Sequence, residues 1–204
     1  MKKNIAFYFD YSSPFGYLAY ERIWDIAKKH DRGITLHPII LGAIFKISRQ
    51  TPLTLAPLKG EYSIHDFSRS AREHKVDYRH PDPFPIGSVL ACRATLWLRD
   101  NPDPSLSSTT RDFVQAVYRS FFCENKDITD VSTLADLAES LGINGDELVS
   151  AVGEPAIKEA LRVEVDAAVD NGVFGSPMMI VDGEPFWGHD RLEQMDRWIT
   201  TGGW

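Results

Sequence analysis

The chain has 204 residues, 43% of them hydrophobic and 11% aromatic, which is enough to bury a substantial core and excludes a disordered chain. Its net charge of -7, with Lys and Arg scattered rather than clustered, repels a phosphate backbone and argues against a nucleic-acid partner. The longest apolar run, Ile39 to Phe45, is broken by Gly42 and falls far short of the roughly 20 residues a membrane span needs.

Ile5 to Asp10 is a short aromatic, β-favouring run and is expected to be a central strand. Phe15, Leu18, Ala19, Ile23, Ile26 and Ala27 then recur at helical spacing until Gly33 breaks the pattern. Ile34 to Ile40 reads as a second strand, parallel to the first because a helical crossover joins them. From Leu41 to Arg162 the character is helical with Pro-rich connectors. Phe113, Val117 and Phe121, and Leu134, Ala138 and Leu141, form apolar stripes, and Gly142 is a stop. Ile157, Ala160, Leu161, Val165, Ala168 and Val169 predict an amphipathic helix ended by Asn171-Gly172. Pro177 to Val181 and Glu184 to Trp187 flank Asp182-Gly183, a hairpin with type I′ turn chemistry, and a last helix is expected near Asp190.

A βαβ unit and a ββα unit around one sheet make an α/β thioredoxin-like plan. The expected parts are a first half at 1–40, an all-helical insertion at 41–162 and a second half at 163–204. In that plan the mouth of the first helix is where thiol oxidoreductases carry Cys-Pro-x-Cys. Here Ser13-Pro14-Phe15-Gly16 stands there, so the scaffold has no thiols of its own and an external thiol is the natural counterpart. Ser13 also satisfies a plain structural role, since Ser is a favoured N-cap and Pro a favoured first helical residue. Cys92 and Cys123 lie far apart in apolar helical stretches, the usual setting of inert thiols.

No Cys-x-x-Cys, His-Glu-x-x-His or other metal-ligand spacing occurs, and no phosphate loop, dinucleotide fingerprint or nucleophile elbow. Ser176-Pro177 opens a strand, where Pro is either an edge-strand starter or a cis residue in a tight turn. Within a thioredoxin-like plan a cis bond at Pro177 is expected, facing the first helix. Asp190 reads either as the cap of the last helix or as the holder of an ammonium group, and Lys59 as a solvated loop lysine. The Met-Lys-Lys-Asn start is followed by no small-residue cleavage site, so a cytoplasmic location is expected.

Three segments taken together resemble the 2-hydroxychromene-2-carboxylate isomerase family. They are Tyr8 to Leu18, Lys59-Gly60-Glu61-Tyr62, and Gly172 to Pro177 followed by Trp187-Gly188-His189-Asp190-Arg191. The likeness runs over essentially the whole chain and extends to the kappa-class glutathione transferases. It implies a DsbA-like thioredoxin fold, a homodimer and bound glutathione. By the resemblance, Ser13 is the active serine that donates to the glutathione sulfur, and Ser176, before the expected cis Pro177, pairs with the tripeptide. Lys59 and Gln50 fall where relatives use Lys and Asn against glutathione, and His189 and Asp190 where they use Ser or Asn followed by Asp at its γ-glutamyl end. Gln50 and His189 depart from that pattern. Tyr62 and Phe84, in the insertion, are candidates to line a slot for an aromatic substrate, although ordinary core packing is the plainer reading of both. A kappa-type transferase and a non-catalytic binding protein are the alternatives. A disulfide oxidoreductase is disfavoured because neither Ser13 nor Gly16 forms a disulfide.

Overall fold

The computed structural model of the chain describes residues 4–204. Strand β1 (Ile5–Phe9) leads into helix α1 (Pro14–Lys29), and strand β2 (Ile34–Pro38) follows. Eight helices come next: α2 (Leu41–Ser48), α3 (Lys59–His74), α4 (Val89–Arg99), the short α5 (Pro104–Ser107), α6 (Thr110–Phe122), α7 (Val131–Ser140), α8 (Gly145–Gly153) and α9 (Pro155–Asp170). Strands β3 (Met178–Val181) and β4 (Glu184–Trp187) form the hairpin, and α10 (Leu192–Thr201) ends the fold. The sheet order is β2-β1-β3-β4, with β1 and β2 parallel and the other pairs antiparallel. β1 is therefore central, as its unbroken apolar character requires. Asp182 and Gly183 both have positive φ, the geometry of a type I′ turn.

Some boundaries differ from the sequence reading. Asp10 leaves the strand to close a turn, and Ile40 becomes the N-cap of α2. The last α-helix starts at Leu192, after a single 3-10 turn at His189–Arg191, and its N-cap is Arg191 rather than Asp190. The expected division at 162/163 falls inside α9, because nothing in that segment breaks a helix that opens on Pro155 and buries Leu161, Val165 and Ala168. The 113/117/121 stripe is buried as expected, while Leu141 stands half-buried at the end of α7 beside Leu134 and Ala138, which are fully buried.

The core is an aromatic cluster between β1, α1 and α6. Phe7, Phe9 and Tyr11 of the first strand and its turn pack against Tyr17 and Tyr20 of α1 and Tyr118 and Phe122 of α6. Burying each such ring contributes on the order of 2 kcal/mol. Every buried phenol keeps a partner: Tyr20 donates to the Arg111 carbonyl at 2.6 Å, Tyr118 to the Asp10 carbonyl at 3.1 Å, and Tyr11 shares a 2.5 Å bond with Thr95. Edge strand β2 is covered from outside. Arg99 of α4 donates to the Leu36 carbonyl at 2.9 Å and grips Glu164 of α9 through two bonds of 2.8 and 2.9 Å. His37 meets the same carboxylate at 2.6 Å. Burial alone would raise the Glu164 carboxyl, but these hydrogen bonds hold it down at about 2.

Candidate active site

The site is the mouth of α1. Ser13, in extended backbone with φ of -97° and ψ of 109°, caps the helix by accepting the Gly16 N–H at 3.0 Å, and Pro14 supplies the first helical residue. The same hydroxyl donates to the Ser176 carbonyl at 3.0 Å. Ser176 returns the link, since its Oγ accepts the Asp10 N–H at 3.1 Å, and the Ser13 N–H closes a turn on the Asp10 carbonyl at 2.9 Å. The Ser176-Pro177 peptide bond is cis. One hydroxyl thus caps α1 and bridges to the Ser176 loop, at a helix terminus, where negative charge is favoured.

Gly16 stands where a second cysteine would be, and the surroundings leave it no side chain. A Cβ there would come within 2.9 Å of both the Ser176 Oγ and the Tyr118 hydroxyl. The two natural cysteines are elsewhere. Cys92 is fully buried and Cys123 partly so, and burial pushes both thiols upward, away from reactivity. Among the described residues no group of three or more His, Cys, Asp or Glu side chains is arranged to hold a metal, and no helix is long and apolar enough to cross a membrane.

The residues singled out in the sequence fall into three groups. Ser13, Ser176 and Pro177 meet directly, and the Pro177 carbonyl accepts the Gly188 N–H at 3.0 Å, which carries the turn holding His189 and Asp190 to the same end of the sheet. The Asp190 carboxylate is exposed, pairs with Arg191 at 3.0 Å and folds over Gly188, whose φ of 108° and lack of a side chain make room for it. The His189 ring is buried, stacked on Phe15 at 4.7 Å and edge-on to His74 at 5.7 Å, and its Nδ1 has no hydrogen-bond partner among the described residues. Burial pushes its ionisation down. Gln50, just past α2, donates to the Phe174 carbonyl at 3.4 Å, in the loop that leads to Ser176.

Lys59 opens α3 on the surface, with no polar side-chain partner among the described residues. Helix α3 lies alongside α1 through an edge-on contact of Phe67 and Phe15 at 4.8 Å. Tyr62 is 59% exposed, its hydroxyl accepting from Arg69 at 3.0 Å. Phe84 is half-buried in a wall with His80 at 4.9 Å and Phe121 at 6.3 Å, and His80 in turn faces Phe67. The aromatic layer therefore runs from α1's first turn to Phe84, while Tyr62 stands outside it.

Sequence reasoning missed Asp10, Tyr118, Gly175 and Trp187. A Cβ on Gly175 would meet the Trp187 indole nitrogen at 2.5 Å, so the indole lies directly on the Ser176 loop. The spacing of Phe174-Gly175 against Trp187 across the hairpin could have signalled that contact; nothing in sequence points from Tyr118 to Asp10.

A family model described as a DSBA-like thioredoxin domain matches residues 4–200. The 2-hydroxychromene-2-carboxylate isomerase of Sphingobium xenophagum is 32% identical over 201 residues, covering 98% of this chain and 99% of its own. Human glutathione S-transferase kappa 1 is 25% identical over 211 residues, covering 95% and 89%. A solved 2-hydroxychromene-2-carboxylate isomerase shares the fold at a TM-score of 0.85 and 24% identity, over 97% of this chain and 94% of that one. Fold and relatives together define an enzyme built on the DsbA-like thioredoxin fold. Within that class the chain belongs to the 2-hydroxychromene-2-carboxylate isomerase family.

Proposed function

We propose that the enzyme is a glutathione-dependent isomerase that interconverts 2-hydroxychromene-2-carboxylate and trans-o-hydroxybenzylidenepyruvate. The observation that carries this reading is the Ser13 hydroxyl at the mouth of α1, opposite Ser176, with a side-chain-free Gly16 in the place of a second thiol. Relatives named as that isomerase and as kappa-class glutathione transferases support it.

Glutathione would lie along the cis-Pro177 loop. The Ser13 hydroxyl rotates its proton from the Ser176 carbonyl to the cofactor sulfur, which frees that carbonyl to accept a backbone N–H of the tripeptide. Gln50 and Lys59 hold its length, and His189 and Asp190 its γ-glutamyl end. A free thiol ionises near pH 8.5, so the site must favour thiolate. The helix terminus contributes about 0.3–1 kcal/mol and a hydrogen bond to charged sulfur about 1.5–3 kcal/mol. At about 1.4 kcal/mol per pH unit, this makes thiolate the main form near neutrality, even after some loss to desolvation.

Bound there, glutathione would supply a thiolate able to add reversibly to the electron-poor alkene carbon of the ring-opened keto acid, which would free the double bond to rotate and return the thiol unchanged; Ser13 would hold the sulfur and the Ser176 loop the tripeptide backbone. Phe84, and Tyr62 at the rim, would flank the aromatic ring. We further place the enzyme in the cytoplasm as a homodimer, with 1–40 and 163–204 as the thioredoxin-like halves around the helical block.

The test is calorimetric titration with glutathione, together with the isomerisation assay. The reading predicts binding by the native protein and turnover that requires added glutathione; no binding leaves it without a cofactor. The full-length match to human kappa-class transferase favours one second reading, conjugation of another electrophile, which differs in consuming the thiol.

A further inference from the structure

We infer that Asp10 is a positioning residue for the thiolate site, an inference that rests on the glutathione reading above. Its side chain is almost wholly buried, yet both of its oxygens are hydrogen-bonded. Oδ1 accepts the Ser12 N–H at 2.8 Å, the Ser12 hydroxyl at 2.9 Å and the Ser88 hydroxyl at 2.7 Å. Oδ2 accepts the Leu41 N–H at 2.6 Å, at the start of α2, whose own N-cap Ile40 offers no side-chain bond. Four donors from three separated segments meet one carboxylate, the condition under which such a group is tolerated inside a fold.

The backbone of Asp10 holds the other half of the arrangement. Its N–H goes to the Ser176 Oγ, and its carbonyl accepts both the Ser13 N–H and the Tyr118 hydroxyl. Ser13, Ser176 and residue 10 thus form a closed ring of hydrogen bonds, and the carboxylate pins residue 10 from behind. Asp is favoured at the first position of such a turn because its side chain takes the N–H two residues on. With every oxygen occupied by a donor, the carboxylate is not placed to take a proton from glutathione. A negative group this close also opposes a thiolate rather than favouring it. What it supplies is geometry: it fixes the turn that aims the Ser13 hydroxyl.

The test uses Asp10→Asn and Ser88→Ala in the full chain. An amide cannot accept from all four donors, since its NH2 must face at least one of them. Ser88→Ala removes one donor and touches neither Ser13 nor Ser176. The readout is the ionisation of glutathione bound to each protein, followed by the ultraviolet absorbance of thiolate against pH, alongside kcat and KM. In Asp10→Asn the lost aim of the Ser13 hydroxyl should outweigh removal of the opposing charge, so the midpoint should rise by about one pH unit, leaving roughly two- to fivefold less thiolate at neutrality and a correspondingly lower kcat/KM that recovers at alkaline pH. Ser88→Ala should move the same way by less, and it carries the test alone if Asp10→Asn does not fold. An unchanged midpoint with only a lower melting temperature overturns the inference and leaves the glutathione reading standing. Absence of glutathione binding by the native protein overturns both.

Discussion

The Ser13 hydroxyl donates to the Ser176 carbonyl at 3.0 Å while accepting the Gly16 N–H at the same distance. This one pair joins the first half of the sheet to the last across 163 residues of chain. On the proposed reading, a rotation about the Cβ–Oγ bond would turn that proton from the Ser176 carbonyl to an incoming sulfur.

Ser13→Ala removes both bonds. Loss of the bond to a charged sulfur, about 1.5–3 kcal/mol, predicts turnover at neutral pH lower by roughly ten- to a hundredfold, recovering partly as pH rises and ionises the thiol without help. Loss of the cap predicts about 1 kcal/mol less stability. Ser13→Thr, which keeps a hydroxyl, should retain most of the cap. Steady-state rates against pH and thermal melts of the three proteins check these outcomes.

Gly16→Cys tests whether the scaffold can be returned to disulfide chemistry. Its Cβ would stand 2.9 Å from two hydroxyl oxygens, one of them on Tyr118, which is itself buried and bonded to Asp10. Overpacking of this kind costs about 1–3 kcal/mol. Even combined with Ser13→Cys, the variant should melt earlier and reduce insulin poorly; a stable and efficient reductase would show that the site has room the distances deny.

Much of the plan was legible because it rests on local rules. Ser13-Pro14 is a cap, Asp182-Gly183 is a turn, and the 113/117/121 stripe is a buried helix face, each readable from its own residues. The Ser13–Ser176 pairing needed the fold plan as well, since the two are far apart in sequence. Asp10 was read as the end of a strand because its four partners lie at residues 12, 41 and 88, separations that no periodicity carries. Asp190 does not cap α10, because the chain inserts a 3-10 turn there that spacing alone does not announce. His189 followed a family position, yet its ring is taken up in the stack with Phe15, where burial outweighs its polarity.

Glu164 contributes to the stability of the fold toward acid. Its carboxyl is held at about 2 against an ordinary value of 4.5, by His37 and Arg99 acting against the cost of burial. A depressed carboxyl stabilises the fold above its unfolded value, and that contribution, on the order of 3 kcal/mol, is lost as pH falls from about 4.5 toward 2. Glu164→Gln should therefore be less stable near neutrality and lose less on acidification. Denaturant melts at several pH values measure both slopes.

His189 acts in a milder range. Burial, with His74 and Arg22 nearby, lowers its ionisation below the ordinary 6.5 despite the opposing charges of Asp190 and Asp66. The unfolded chain then binds a proton more readily than the folded one, so stability should fall as pH drops below about 6.5. His189→Phe keeps a ring against Phe15 and removes the unpartnered Nδ1. It should flatten that decline, as thermal melts across the range will show, and a decline equal to that of the native protein would place its cause elsewhere.

The central claim is that glutathione adds through its sulfur and leaves unchanged. It is tested most directly by following the chromene-to-benzylidenepyruvate equilibration by absorbance, with and without glutathione, while titrating free thiol before and after. Equilibration that depends on glutathione, with the free thiol constant over many turnovers, is the expected result. Equilibration at full rate without glutathione, or thiol lost in step with substrate, would contradict it.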